Sequence, residues 1–244
     1  MRARLAVFAL VAAASTVAFA DGITSQQADQ ILQELRAIRG LLERGAQPAA
    51  QPQQPAPQAP VKVSVKGAYA IGKADAPVTM VEFTDYECPF CRQFHNASFD
   101  EIKRKYIDTG KVRYVSRDYP LPFHPRALPA AKVARCAGEQ GKFWEMRHAL
   151  ITNALDTETM VKLAGDMKLD QKKLSACISD ERVSKSLEAD IADAENTAGV
   201  SGTPTFVIGR SSGDSVEGLR IVGAQPLPTF EARIQALLAS PTAR

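Results

Sequence analysis

Residues 78–91 read VTMVEFTDYECPFC, from Val78 through Glu82 to Cys88, Pro89, Phe90 and Cys91. The run Val78 to Thr84 alternates as a strand does, with Val78, Met80 and Glu82 on one face and Thr79, Val81 and Phe83 on the other. Glu82 therefore shares a face with apolar neighbours and is expected to be buried; the alternative is a surface Glu facing an edge. A buried carboxylate that lacks a partner tends to have a raised pKa. Beyond the two cysteines the pattern is helical, so the motif sits at a strand-to-helix junction. The thiolate is the nucleophile of disulfide exchange, and a helix N-terminus stabilises negative charge on a sulfur placed there. Cys88 occupies that place, while Cys91 lies one turn on and, by its spacing from Phe94, faces the core. The reading is a redox-active dithiol in which Cys88 attacks and Cys91 resolves. Zinc would need two further ligands at familiar spacing, and no second C-x-x-C exists. Haem attachment would need His at the position held by Arg92. Two other uses remain open. One is a non-enzymatic carrier of a soft ion such as Cu(I), although no Met or His clusters near the motif. The other is a structural or adhesion module with an inert disulfide.

The first twenty residues contain Arg2 and Arg4, an apolar stretch from Leu5 to Val17, and then Ala18-Phe19-Ala20. These are the three parts of a secretory signal peptide, with cleavage expected after Ala20. The stretch is short for a retained membrane anchor, and no Cys follows the cleavage site to carry a lipid. Cleavage removes two arginines and no acid, so the formal charge falls from +3 to +1. Nothing in that balance favours nucleic acid or an anionic membrane as partner. Export places the four cysteines in an oxidising compartment, the periplasm, where disulfides persist. No cofactor is implied.

From Ile23 to Arg44, Ala28, Ile31, Leu35, Ile38 and Leu42 recur at spacings of three and four, an apolar stripe along a helix spanning about residues 21–45. About two heptads are short for a coiled coil, and Gly40 weakens the helix near its end. The stripe fits homo-oligomerisation through residues 23–44; a docked or frayed helix is the alternative. Residues 46–60 hold five prolines and no charge. They form a semi-rigid linker that reaches about 45 Å if fully extended. That separation from the main domain favours self-association of the helix.

The main domain spans residues 61–244. Val61 to Val65 alternates as a strand, and after the motif Phe94, Ala97, Ile102 and Tyr106 continue a helical stripe that stops at Gly110. Val112 to Val115 is the next strand, returning parallel in a βαβ unit. His95 and His124 receive no role, since single histidines at such places are commonly surface or loop residues. From about 125 to 200 the pattern is helical, broken at Gly141, Asp156-Thr157, Leu169-Asp170 and Asp180. Phe143, Trp144, Met146 and Leu150 read as its core and groove. Cys136 and Cys177 each lie on an apolar helical face. Four cysteines allow three pairings, and if Cys88 pairs with Cys91, only Cys136 with Cys177 remains. Two unpaired buried cysteines are the alternative. Strand pattern returns from Gly202 through Thr203-Pro204 to Gly209, followed by a long Gly-rich loop through Gly213 and Gly218 and a strand from Leu219 to Val222. A Pro at the head of an apolar strand fits its first residue, where a cis bond is plausible. A last helical face carries Phe230, Ile234, Leu237 and Leu238.

This order resembles a thioredoxin-like α/β fold with an inserted helical subdomain, as in the DsbA-like family of exported thiol-disulfide oxidoreductases, over roughly residues 61–240. The likeness rests on Phe83-Thr84-Asp85-Tyr86-Glu87-Cys88-Pro89-Phe90-Cys91, on Cys136-Ala137 with Gly141-Lys142-Phe143-Trp144-Glu145, and on Gly199-Val200-Ser201-Gly202-Thr203-Pro204-Thr205. The resemblance implies an exposed nucleophile at Cys88, a buried partner at Cys91, and a cis-proline at Pro204 facing the disulfide. Thr203, Pro204, Pro89 and Phe90 would contact the client peptide. Glu82 would be the buried acid that moves protons to or from the inner thiol. The implied partners are exported proteins bearing thiols or disulfides and a membrane redox protein that recycles the site. Direction stays open between oxidase and isomerase. Pro-Phe lacks the His found between the cysteines of strongly oxidising DsbA proteins, so that source of thiolate stabilisation is missing. Thr before the cis-proline and the N-terminal helix are similar to DsbC, DsbG and ScsC-like proteins.

Overall fold

The computed structural model describes residues 23–45 and 59–240. The expected signal peptide with its cleavage site, and most of the linker, lie outside the described residues. Two units are distinguished, within residues 1–57 and residues 58–244. In the first, α1 (Ser25–Gly45) runs on through Gly40. Thr24 and Gln27 open it as a reciprocal cap: the Gln27 amide donates to Thr24 Oγ1 at 3.2 Å, and the Thr24 amide donates to Gln27 Oε1 at 3.0 Å. Ile31, Leu32, Leu35 and Ile38 are 48–55% exposed, so the apolar stripe is a surface feature of this helix.

The second unit is built on a six-stranded sheet. Its strands are β1 (Val61–Ser64), β2 (Tyr69–Ile71), β3 (Val78–Thr84), β4 (Val112–Asp118), β5 (Thr205–Ser212) and β6 (Ser215–Val222), in the order β1-β6-β5-β3-β4-β2. Only β3 and β4 run parallel, with Glu82 opposite Ser116; the other pairs are antiparallel. Every residue of β3 is buried, because helices and strands cover both of its faces. Val78 and Met80 pack with Phe94, Phe206 and Phe230 on one side, and Val81 and Phe83 pack with Val115, Val207 and Ala198 on the other. β4 continues past Val115 to Asp118, where polar Ser116, Arg117 and Asp118 are buried despite their type. The Gly-rich segment is a tight turn at Gly213-Asp214 rather than a long loop. Gly209 and Gly218 face each other across the two strands, and a Cβ on Gly209 would lie 1.9 Å from the Glu217 carbonyl oxygen. A Cβ on Gly218 would lie 2.4 Å from the Ile208 carbonyl oxygen, so glycine at both positions is a packing requirement within a strand.

After β3 the chain forms α2 (Pro89–Phe94), a π-helical turn at His95–Phe99, α3 (Asp100–Ile102) and a second π-helical turn at Lys103–Ile107. The buried row is Phe94, Ser98, Ile102 and Tyr106, and Ala97 is exposed, contrary to its expected place in the stripe. Four residues overshoot an α-helical turn by about 40°; wider π turns hold such a row on one face.

The insertion comprises α4 (Ala127–Gly138), α5 (Phe143–Thr152), α6 (Thr157–Asp166), α7 (Gln171–Ser179) and α8 (Glu181–Ala198), and α9 (Leu227–Ala239) closes the unit. Asp156, Asp170 and Asp180 cap α6, α7 and α8 by accepting amide hydrogen bonds, which is why the helical pattern breaks at aspartates. Arg92 joins the insertion to α2, donating to the carbonyls of Tyr86, Leu150 and Asn153. Cys136 of α4 and Cys177 of α7 are disulfide-bonded across 41 residues of sequence. A Cys136→Ala/Cys177→Ala chain is expected to lose roughly 2–4 kcal/mol. Denaturant unfolding would register this, and an unchanged midpoint would show the bond to be energetically idle.

Candidate active site

The turn between β3 and α2 is organised by Asp85, which is 1% exposed. Its Oδ1 accepts from the amides of Glu87 (2.7 Å) and Cys88 (3.1 Å), and its Oδ2 accepts from the Leu121 amide (2.8 Å) and lies 2.8 Å from His124 Nδ1. Neither Asp85 nor His124 was assigned from sequence. The available signal was an Asp three residues before the helix cap, a position where its side chain closes a turn onto the backbone.

Cys88 is the N-cap of α2, with Pro89 following it. Both thiols are free. The Cys88 thiol is drawn down from its ordinary 9.0 to about 5, foremost by the hydrogen bond with the Cys91 thiol, against the opposing effect of burial. The Thr203 side chain and the amides of Cys91 and Phe90 at the helix start add to the lowering. Cys91 is pushed the other way, well above its ordinary value, first by burial, then by its bond to Cys88 and the charge of Glu82. The Asp85 amide donates to Cys91 Sγ at 3.4 Å.

The Thr203-Pro204 peptide is cis, and Cys88 Sγ donates to the Thr203 carbonyl oxygen at 3.3 Å. That carbonyl lies over the sulfur, so Cys88 is 3% exposed rather than the open nucleophile implied by the resemblance. The accessible rim is Pro89 and Phe90, the latter 59% exposed, with Phe123 at 72% on the loop after β4.

Behind the thiols, Glu82 is completely buried but not alone. Arg147 Nη2 donates to Glu82 Oε2 at 2.7 Å, Tyr114 donates its hydroxyl to the same oxygen, and His95 Nε2 lies 3.1 and 3.2 Å from the two carboxylate oxygens. Burial pushes the Glu82 carboxyl up, but the neighbouring His95 and Arg147 outweigh it, and the carboxyl titrates below its ordinary value. The expected raised pKa is thus reversed, because the carboxylate has partners. Arg147 Nε also donates to Ser116 at 2.9 Å, and its guanidinium stands 5.6 Å from the Tyr114 and Trp144 ring centres. Arg147 and His95 were missed in the sequence. Arg147 falls four residues after Phe143 and three before Leu150, on the buried face of α5, and a charge there calls for a buried counter-charge. Among the described residues, no three His, Cys, Asp or Glu side chains gather as a metal-binding set.

The site and sheet define a thioredoxin-like fold with a helical insertion. A family model described as Thioredoxin matches residues 64–219, and the chain belongs to that family. Disulfide bond formation protein D of Bacillus subtilis is 30% identical over 159 residues, covering 59% of this chain and 69% of that protein. The crystal structure of Wolbachia pipientis alpha-DsbA1 superposes with a TM-score of 0.63 at 28% identity, covering 72% of this chain and 92% of that one. Within the thioredoxin family the chain is therefore DsbA-like. The Na(+)/H(+) antiporter NhaA 3 of Salinispora tropica is 35% identical over 172 residues. This chain spans only 24% of that antiporter's length. No described helix is long and apolar enough to cross a membrane.

Proposed function

We propose that this chain is a periplasmic thiol-disulfide oxidoreductase that transfers its Cys88–Cys91 disulfide to exported client proteins. The observation that carries the reading is the placement of two free thiols one helical turn apart, Cys88 capping α2 against the cis Thr203-Pro204 peptide and Cys91 buried behind it, a placement that draws Cys88 down to about 5 and pushes Cys91 up. A client thiolate attacks Cys88 Sγ, the Cys88–Cys91 bond breaks, and Cys91 leaves with the electron pair and takes a proton. A second client thiolate then attacks the client sulfur of the mixed disulfide and releases Cys88 as a thiolate. The client is oxidised by two electrons and the site is reduced by two; a membrane redox protein would return it to the disulfide. Thr203 and Pro204, with Pro89 and Phe90, would hold the client chain beside Cys88 in extended form. The arginine-led apolar segment at residues 1–20 and the buried Cys136–Cys177 disulfide support export to an oxidising compartment.

A thiolate stabilised in the reduced form makes the disulfide a stronger oxidant, which favours oxidase over isomerase. The sequence lacks the His of strongly oxidising relatives, yet Cys91, Thr203 and the helix amides supply stabilisation in its place. Iodoacetamide alkylation of Cys88 is expected to be half-maximal near pH 5, with the thiol more than about nine-tenths ionised at pH 7. Because the folded pKa lies below the unfolded one, the stabilisation of the reduced form is complete above about pH 9 and shrinks as pH falls towards 5. Cys91 stays protonated when folded, adds no slope at acidic and neutral pH, and lowers the stability only as pH rises through the range in which a free thiol ionises. Oxidation of reduced ribonuclease without recovery of scrambled ribonuclease is the expected activity pattern. A midpoint near that of free cysteine, or isomerisation faster than oxidation, would overturn the assignment.

A further inference from the structure

His95 follows Cys91 by one helical turn, at the start of the π-helical turn His95–Phe99. Its Nε2 has two claimants. The Glu82 oxygens at 3.1 and 3.2 Å require a donor whenever Glu82 is ionised, while Arg147 Nη2 at 3.0 Å carries only hydrogens and requires an acceptor. One proton placed between Glu82 and His95 satisfies either arrangement. On Nε2 it is donated to the carboxylate, and on Glu82 it is donated to the Nε2 lone pair, which then also faces Arg147. The pair can thus pass a proton in both directions without moving a heavy atom.

The imidazole has a second side. The ring is 8% exposed and lines a cavity of about 280 Å³ with Phe99, Trp144, Arg147, His148 and Lys103. His148 and Asp100 are exposed and Lys103 is half-buried, so the cavity communicates with solvent, and none of Cys88, Pro89, Phe90, Thr203 or Pro204 lines it. The groups that bear on the imidazole are Glu82 from β3, Tyr114 from β4, Arg147 and His148 from α5, and Asp100 and Lys103 from its own helix. Burial and the Arg147 charge favour the neutral ring, and Glu82 opposes them, leaving a base that can take a proton from water and pass it inward.

We infer that His95 is a positioning and relay residue that connects Glu82, and through it the Cys91 sulfur, to solvent by way of this cavity. The inference rests on the disulfide-exchange reading above and on the proton-transfer role that the family resemblance implies for Glu82, whose charge bears on Cys91. When the Cys88–Cys91 bond breaks and Cys91 leaves as a thiolate, a proton from cavity water enters at His95, passes from Nε2 to the Glu82 carboxylate and from there to the Cys91 sulfur, leaving Glu82 ionised again. When Cys91 attacks a mixed disulfide, the same path runs outward.

The test uses the full chain with His95→Ala and His95→Gln, oxidising a dithiol peptide in stopped flow across pH 5–8. Alkylation of Cys88 by iodoacetamide is followed in parallel. His95→Ala is expected to slow the step in which Cys91 leaves by on the order of tenfold or more and to flatten its pH dependence. Cys88 alkylation should be unchanged. Added imidazole should restore the rate of His95→Ala saturably, because the truncation opens the cavity to it. His95→Gln should remain slow and unrescued, since the amide fills the space without carrying a proton. A wild-type rate in His95→Gln, a His95→Ala defect that imidazole does not relieve, or a matching loss of Cys88 alkylation would overturn the relay alone. A wild-type chain that fails to oxidise the peptide would overturn the exchange reading and the relay with it.

Discussion

Cys88→Ser is expected to lower disulfide transfer to a dithiol peptide by at least about 10³-fold, the scale of losing an attacking group. Cys91→Ser is expected instead to accumulate a mixed disulfide when it meets a client disulfide, because Cys88 attacks one client sulfur and displaces the other as a thiolate. The difference follows from placement. Cys88 caps α2 next to the accessible Pro89 and Phe90, whereas Cys91 is fully buried and reaches a client only through Cys88. Without the inner sulfur, a client captured at Cys88 has no internal route of release, and non-reducing gels should show the adduct. Cys91→Ala separates two roles of that sulfur. The Cys91 thiol is the foremost cause of the low Cys88 pKa, so removing the donor should raise the Cys88 alkylation midpoint from about 5 towards that of a free thiol. Serine can still donate from the same place and should hold the midpoint lower than alanine does. Equal midpoints in the two variants would show that the helix start and Thr203, rather than Cys91, set the Cys88 thiolate.

What the sequence disclosed here was local and periodic. The alternation of Val78 to Thr84, the helix beginning after Cys88 and the Pro heading the Thr205 strand are written in neighbouring residues, and the fold family and the positions of Cys88, Cys91 and Pro204 follow from them. The breaks at Asp156, Asp170 and Asp180 were legible for the same reason, because a capping residue acts within three residues of itself. The contacts that tune the site were not. Arg147 meets Glu82 across 65 residues and His124 meets Asp85 across 39, separations at which no periodicity survives. The coverage of Cys88 by the Thr203 carbonyl is a tertiary outcome of the same kind, 115 residues apart. The phase of the Phe94 stripe was misjudged at Ala97 because π turns change the residues per turn without altering composition.

Arg147→Ala is expected to cost roughly 3–5 kcal/mol of folding stability near neutral pH, the range for stranding one member of a buried ion pair. Glu82 is completely buried, and the guanidinium of Arg147 donates to it, to Ser116 and to the Tyr114 hydroxyl. In the wild-type chain the carboxyl titrates below its ordinary 4.5. Its contribution is therefore present above that value and is lost as pH falls through the folded pKa. Without Arg147, burial dominates and lifts the Glu82 pKa above the unfolded value, so the sign reverses. The penalty should grow as pH rises from about 4.5 and shrink on acidification, as the carboxyl accepts a proton. A second substitution isolates the charge from the packing. In Glu82→Gln/Arg147→Met both charges are gone and most of the volume is kept, and the pair should recover most of the loss. Denaturant unfolding at pH 4.5 and pH 7.5 of the wild type, Glu82→Gln, Arg147→Met and the double variant closes the cycle, with Arg147→Ala and Glu82→Gln/Arg147→Ala measured beside it. A pH-independent Arg147→Ala penalty, or one equally large with Glu82→Gln, would show that Arg147 acts as a strut for Trp144 and Ser116 and not as the counter-charge of Glu82. If the cycle couples, Glu82 is a full charge behind Cys91, and that charge helps hold the inner thiol protonated while Cys88 is ionised. Glu82→Gln should then ease Cys91 ionisation, so the ion pair that stabilises the fold also keeps the two thiols unequal.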